Sequence, residues 1–345
     1  MRCAVLLVLA VSLAGQDQRF EAESRLVLVP VTVTDGKGLP VDGLDAADFV
    51  VLDNGRRQKV AGDGLATGVV PIALVVAVQS SSLSAAALEK VRKIGGMIQP
   101  LITGEHGCAA VLAFAQRVEW RQHCTSDSDA VAWAIGHLQP DEGKDACLLD
   151  AVREATKLLR GRNNVRRVLL LISESRDRGS ESDLDNVVIA AQSAGVTVYA
   201  ATYSAFLTGF TTKSSEVSTP RQPRGPKERD RPPVGPPGRE EIALPPREQR
   251  VDILGGLGEL RRLRKTNTTQ VLTSETGGAI LPFNRQGTLE GAIEKLGAEL
   301  HTQYLLSFTP DAPSAGYHRL QVRVVREGEY RVRARPGYWS PWETQ

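Results

Sequence analysis

The sequence predicts an α/β protein: a doubly wound, mostly parallel sheet, plus a small antiparallel β module built from both chain ends. Three observations carry this. Pro71-Ile-Ala-Leu-Val-Val-Ala-Val-Gln79 is an unbroken apolar run of strand length, and only a strand covered on both faces has no solvent side to show. From Val69 to about Thr309, strand-like and helix-like stretches alternate, the order of a sheet wound with crossover helices. Outside that region, short strands with strong turn chemistry point to antiparallel pairing.

Taken in order, residues 1–15 have the form of a secretory signal: Met1-Arg2-Cys3, the apolar run Ala4 to Ala14, then Gly15. The run is shorter than the roughly 20 apolar residues that span a bilayer. The protein is therefore expected outside the cytoplasm, secreted or in the periplasm or cell envelope, with no membrane span. Residues 20–62 supply the first part of the β module. Ser24 to Asp35 is a strand, Asp45 to Asp48 a helical turn, and Phe49 to Leu52 a strand ending in the hairpin turn Asp53-Asn-Gly55.

Residues 69–300 form the α/β domain. After the opening strand, a helix is expected from Ser84 to Gln99, stopping at Pro100. A hairpin follows around Gln116, then helices over Asp127 to Leu138 and Leu148 to Arg160, a strand over Val165 to Ser173, a helix over Leu184 to Ser193 and a strand over Val196 to Tyr203. Residues 211–250 hold nine prolines among arginines and acids with few apolar residues, a disordered insertion by composition; a proline-rich docking site is the alternative. A helix ending at Gly277-Gly278, a strand over Ala279 to Phe283 and a helix over Thr288 to Leu300 complete the domain. Residues 301–345 return to β character: a strand over Gln303 to Phe308, then Tyr317 to Val325 and Tyr330 to Ala334 as a hairpin around Arg326-Glu-Gly-Glu329.

With 41% hydrophobic and 24% charged residues and a net charge of +2, the chain has the balance of a globular protein. No element carries a one-sided basic face with interleaved aromatics, so nucleic acid is not expected as a partner. Folding the hairpin about Gln116 sets Cys108 opposite Cys124. A disulfide between them, with Cys147 free, is one expectation in an oxidising compartment; three small buried thiols is the other.

Ligands of open α/β sheets bind in the crevice at the carboxyl ends of the strands. Ser80, Ser81 and Ser82 follow the central strand directly and belong in that crevice. No phosphate loop, no Gly-x-Ser-x-Gly turn and no paired metal-ligand histidines are present, so no enzymatic activity is expected.

Four segments carry a resemblance: Leu28 to Gly38, Leu44 to Gly55, Leu300 to Pro310, and Val332-Arg-Ala-Arg-Pro-Gly-Tyr-Trp339. Together and in this order they resemble the von Willebrand factor type A domain, and more narrowly the von Willebrand factor A-related family of secreted acidobacterial-type proteins. The resemblance covers nearly the whole chain after the signal. It implies a protein-binding crevice, which in such domains holds a divalent cation through Asp-x-Ser-x-Ser, a Thr in a second loop and an Asp after the central strand.

Matched to that pattern, Ser80 and Ser82 take the serine positions, Val78 replaces the leading Asp, Ala146 replaces the Thr and Glu174 replaces the final Asp. The expected site is thus degenerate, with no cofactor required and Mg²⁺ or Ca²⁺ bound weakly if at all. Taken singly, Ser80 or Ser82 would cap the following helix, Glu174 would face solvent and Asp150 would cap or brace its helix. The expected function is non-enzymatic capture of another protein through loops carrying Ser80, Ser81, Ser82, Asp141, Asp145, Glu174 and Asp177. The rivals are a metal-dependent adhesion domain and a chiefly structural envelope protein.

Overall fold

A computed structural model describes residues 26–60, 70–204, 267–311 and 314–340. The expected signal, the proline-rich stretch 211–250 and the first part of the helix expected before Gly277 lie outside the described residues.

Six strands form the central sheet, in the order β6-β5-β4-β7-β8-β9. These are β4 (Ile72–Gln79), β5 (Cys108–Phe114), β6 (Val118–Thr125), β7 (Arg166–Ser173), β8 (Val196–Thr202) and β9 (Ile280–Pro282). All pair in parallel except β6, which closes one edge as the antiparallel arm of the Gln116 hairpin. Every residue of β4 is buried, as its unbroken apolar run requires.

The pleat of β4 divides its side chains between two cores. Leu74, Val76 and Val78 face a layer that includes Leu88, Ile135 and Leu296, from α1 (Ala85–Val91), α2 (Ser128–Gly136) and a long C-terminal helix, α6 (Gln286–Thr302). Ala73, Val75 and Ala77 face Val152, Leu159 and Val188, from α3 (Leu148–Arg160) and α4 (Leu184–Ser193). The shorter α5 (Thr268–Thr276) joins this second layer through Val271 and Leu272. Gly277 ends α5 in the left-handed conformation, φ 81°.

The helix expected from Ser84 to Gln99 is shorter than the sequence suggests. It stops at Val91, and the chain then runs through a 3₁₀ turn at Gly95–Met97 and a π-helical turn at Gln99–Thr103. Close packing explains the break, since a Cβ on Gly95 would stand 2.7 Å from the Ala132 Cα of α2. Pro100 does not stop the chain; it opens the last turn, where its missing N–H has no partner to lose.

The two chain ends do build one β module, a sandwich of two sheets ordered β10-β1-β12 and β13-β11-β2-β3. Its strands are β1 (Val27–Asp35), β2 (Phe49–Asp53), β3 (Arg56–Gln58), β10 (Tyr304–Phe308), β11 (Gly316–Val324), β12 (Tyr330–Arg333) and β13 (Gly337–Ser340). Val29, Val31, Phe49, Val51, Tyr304, Phe308 and Leu320 fill the space between the sheets.

The hairpin expected around Arg326-Glu-Gly-Glu329 does not form. β11 pairs with β2 and β13, whereas β12 pairs with β1, so residues 325–329 cross from one sheet to the other. The crossing lets Val322 and Val324 pack on the same core as Tyr330 and Val332. Side by side in one sheet, they would leave that core open on its far side.

Cys108 and Cys124 form a disulfide, and Cys147 is free and buried. The simple register does not hold along the whole hairpin: two irregularities shift it, so Val111 faces Gln122 and Ala109 faces Thr125. The bond therefore runs diagonally across the pair rather than between facing residues. Closing a loop of this length stabilises by about 3 kcal/mol. Replacing both cysteines with serine should lower the unfolding free energy by about that amount in urea titrations. An unchanged midpoint would mean that the edge strand is held by its ladder alone.

Candidate functional site

The carboxyl ends of β4, β7 and β8 bring Gln79, Ser173 and Tyr203 to one edge of the sheet, all buried. The polar residue that the end of β4 delivers there is Gln79, not its neighbour. Val78 points into the core with the helical layer of α1, so the pleat sets the strand-end position one residue later than the match to Val78 assumed.

Gln79 uses both halves of its amide. Nε2 donates to Ser81 Oγ at 2.9 Å, and Oε1 accepts from the Glu174 backbone N–H at 2.9 Å. One side chain thereby ties the loop after β4 to the loop after β7.

The serines do not cap α1. Ser80 Oγ points toward the Phe114 carbonyl at 3.4 Å, and the Ser82 backbone N–H donates to the Gly143 carbonyl at 2.8 Å. No side-chain cap is made at the start of α1. Ser84, fully buried, donates from Oγ to the Ser81 carbonyl at 2.5 Å.

The second loop lies across the first. Asp141 donates its N–H to the Ser80 carbonyl at 2.6 Å and accepts from the Gly143 N–H through Oδ1. Asp145 is exposed, while Ala146 is buried and exchanges two backbone hydrogen bonds with Arg178.

The loop after β7 in turn caps α3. Asp177 Oδ1 accepts from the Leu149 N–H at 3.1 Å, and Ser180 Oγ accepts from the Leu149 and Asp150 N–H groups at 3.0 and 3.2 Å. Asp150 reaches back to accept from the Glu181 and Ser182 N–H groups and from Ser182 Oγ. Burial alone would raise the Asp150 pKa, but the hydrogen bonds from Ser182 and Glu181 outweigh it and hold the carboxyl below its ordinary value. The brace expected of Asp150 is thus present, directed at the next loop rather than at its own helix.

Glu174 does not face solvent. Its side chain is only 14% exposed, and Oε2 stands 3.4 Å from Arg178 Nη2. No hydrogen bond reaches that oxygen, nor Ser173 Oγ or the Tyr203 hydroxyl, among the described residues. Burial pushes the Tyr203 phenol well above its ordinary value, with the Glu174 charge adding to it.

The fit to a divalent cation is poor. Affinity for such an ion rises with ligand charge, but the carboxylate at the strand ends, Glu174, faces the Arg178 guanidinium, Ser81 Oγ faces an amide donor, and the unpartnered Ser173 and Tyr203 oxygens are neutral hydroxyls. Among the described residues no group of three His, Cys, Asp or Glu side chains stands ready to hold a metal. Nor is there an activated nucleophile in the crevice. Burial, with Asp150 adding, pushes the Cys147 thiol up to about 11, far from the thiolate that reacts.

A second constellation escaped the sequence analysis. In the sandwich, His318 Nδ1 stands 2.9 Å from Asp53 Oδ1, and its Nε2 stands 3.1 Å from Ser314 Oγ. The three residue types are those of a hydrolase triad. Nε2, however, lies closer to the Ser314 carbonyl, at 2.9 Å, and a carbonyl only accepts. With Tyr338 Oη also donating to Asp53 at 3.0 Å, the group is a buried staple joining β2, β11 and β13.

Fold and site together define an open α/β domain with a polar crevice at its carboxyl edge and a β sandwich at its side. No protein-family model matches the chain, and no curated protein matches it in sequence. Solved structures do match. BatB, a conserved hypothetical protein of Bacteroides thetaiotaomicron, is 15% identical over 65% of this chain and 98% of its own, with a TM-score of 0.40. An aerotolerance-related membrane protein of Bacteroides fragilis is 16% identical over 66% and 98%, at 0.41. A von Willebrand factor type A protein of Catenulispora acidiphila is 10% identical over 85% and 74%, at 0.44. Among the described residues no helix is long and apolar enough to cross a membrane.

Proposed function

We propose that this chain is an exported, non-enzymatic binding protein of von Willebrand A type that captures another protein through the loops at the carboxyl edge of its sheet, without an obligatory cation. The observation that carries the reading is Gln79. A neutral amide stands where the sheet delivers its strand-end polar group, and it is spent on Ser81 and Glu174. The three loops are braced to one another by Asp141, Asp150, Asp177 and Ser180. Such a rim is preformed, and a preformed surface loses little entropy on docking. The Cys108–Cys124 disulfide suits an oxidising compartment.

Thermal unfolding tests the cation part. A site filled at about 100 times its dissociation constant adds ~2.7 kcal/mol, a shift of several degrees. The midpoint is expected to be the same with Mg²⁺, Mn²⁺, Ca²⁺ or chelator. A cation-dependent rise that Glu174→Ala abolishes would overturn metal independence. The docking part is tested by reversing two exposed rim charges, Asp145→Lys with Arg176→Glu. Once a partner is in hand, its capture should fall at least tenfold; undiminished capture would place the interface elsewhere.

A further inference from the structure

At the opposite end of the sheet from the crevice, where the sandwich leans on the starts of β7 and β8, lies a cavity of about 350 Å³. Small-molecule sites begin at about this size. Leu28, Pro30 and Leu305 of the sandwich form one wall, and Val168 and Val196 of the sheet form part of the other. Three arginines line it, Arg166, Arg167 and Arg335, and among the described residues no acidic one does.

Among the described residues none of the three is hydrogen-bonded to a carboxylate. Arg166 donates to the Leu300 carbonyl and Gln303 Oε1, and Arg167 to the Arg162 and Ala194 carbonyls. Arg335, 8% exposed, donates from Nη1 to the Gln192 carbonyl and from Nη2 to the Leu28 carbonyl. Among the described residues its Nε–H has no partner, and neither does Oε1 of Gln192, 3% exposed and also lining the cavity. Glu299, the carboxylate nearest Arg166 in charge interaction, is already paired with Arg333 and Tyr199. Burial lowers the Arg335 pKa to about 10, which leaves it cationic at neutral pH. For Arg335, the one of the three that is buried, lying without a carboxylate beside it is costly.

We propose that this cavity is a binding site for a small carboxylate with an apolar body, its charged head toward Arg335 and Arg167 and its tail against Leu28, Pro30 and Leu305. The volume admits roughly ten water-sized atoms, which suits an acid of about eight carbons. A phosphate would leave the apolar walls bare. The carboxylate can come from a free acid or from the end of a peptide, and two arms of one experiment separate these.

Calorimetric titration of the full chain with octanoate, octanamide, inorganic phosphate, and a short peptide ending in leucine as acid or amide makes the test. Saturable one-to-one binding of octanoate is expected, with octanamide and phosphate at least tenfold weaker; preference for the peptide acid assigns the source to a chain terminus. Leu305→Trp fills the cavity and keeps every arginine, so it should weaken binding at least tenfold while circular dichroism stays unchanged. Arg335→Lys should weaken it too, and Leu305→Trp keeps the question decidable if that variant does not fold. No saturable binding of either acid, equal binding of octanamide, tighter binding of phosphate, or indifference to Leu305→Trp would each overturn the assignment.

Discussion

Glu299→Ala should lower the unfolding free energy by about 3 kcal/mol or more in denaturant titrations. Glu299 sits on α6 between the two halves of the fold. Its Oε1 takes the Arg333 guanidinium of β12 at 2.5 Å and the Tyr199 hydroxyl of β8 at 2.6 Å. Tyr199 is fully buried, so its hydroxyl would be left with no acceptor. Arg333, about one third exposed, would keep some water but lose its charge partner. Glu299→Gln retains an acceptor and should lose about half as much. Equal losses would mean that the charge contributes nothing beyond the hydrogen bonds.

Asp53→Ala should be comparably damaging, on the order of 3 kcal/mol, because it strands two buried donors at once. His318 and Tyr338 are 2% and 3% exposed, and neither gains water when the carboxylate is removed. Tyr338→Phe removes one donor and its hydrogen bond together, so a loss of only about 1 kcal/mol is expected. Urea titration of both variants checks the ordering. A milder Asp53→Ala than Tyr338→Phe would show that the carboxylate is not the centre of the staple.

Much of the α/β layer was legible in the sequence, because its elements announce themselves locally. Helices α3 and α4 begin and end at the residues their apolar spacing gives, and the double burial of β4 follows from its composition. Neighbourhood was harder to read. The alternation in β11 and β12 says that each has an apolar face but not which strand lies beside it, and the Glu-Gly-Glu turn between them looks the same whether it joins one sheet or two.

The crevice turned on a single residue of register. An apolar run ending in Val-Gln-Ser gives no sign of which side the pleat presents, and the choice between Val78 and Gln79 is made by the packing of the whole strand. Arg335 was invisible for a different reason. An arginine among polar residues looks like surface, and it is buried by the meeting of the sandwich with the sheet, which local pattern does not encode.

The sandwich joins segments from opposite ends of the chain: Val27 lies beside Phe308 and Thr32 beside Arg333. During synthesis, β1 emerges first yet has no partner until almost the last residues arrive. Through that interval Val27, Val29, Val31 and Val33 have no core to enter, and the strand presents two unpaired edges, a condition in which chains aggregate. Such non-local pairing is also slow to form. The α/β layer can fold while β1 waits, and closure of the sandwich then follows the arrival of β10 and β12. A truncation before β10 would therefore strip β1 of both its partners, leaving the N-terminal strand as exposed as if it had never been made to fit.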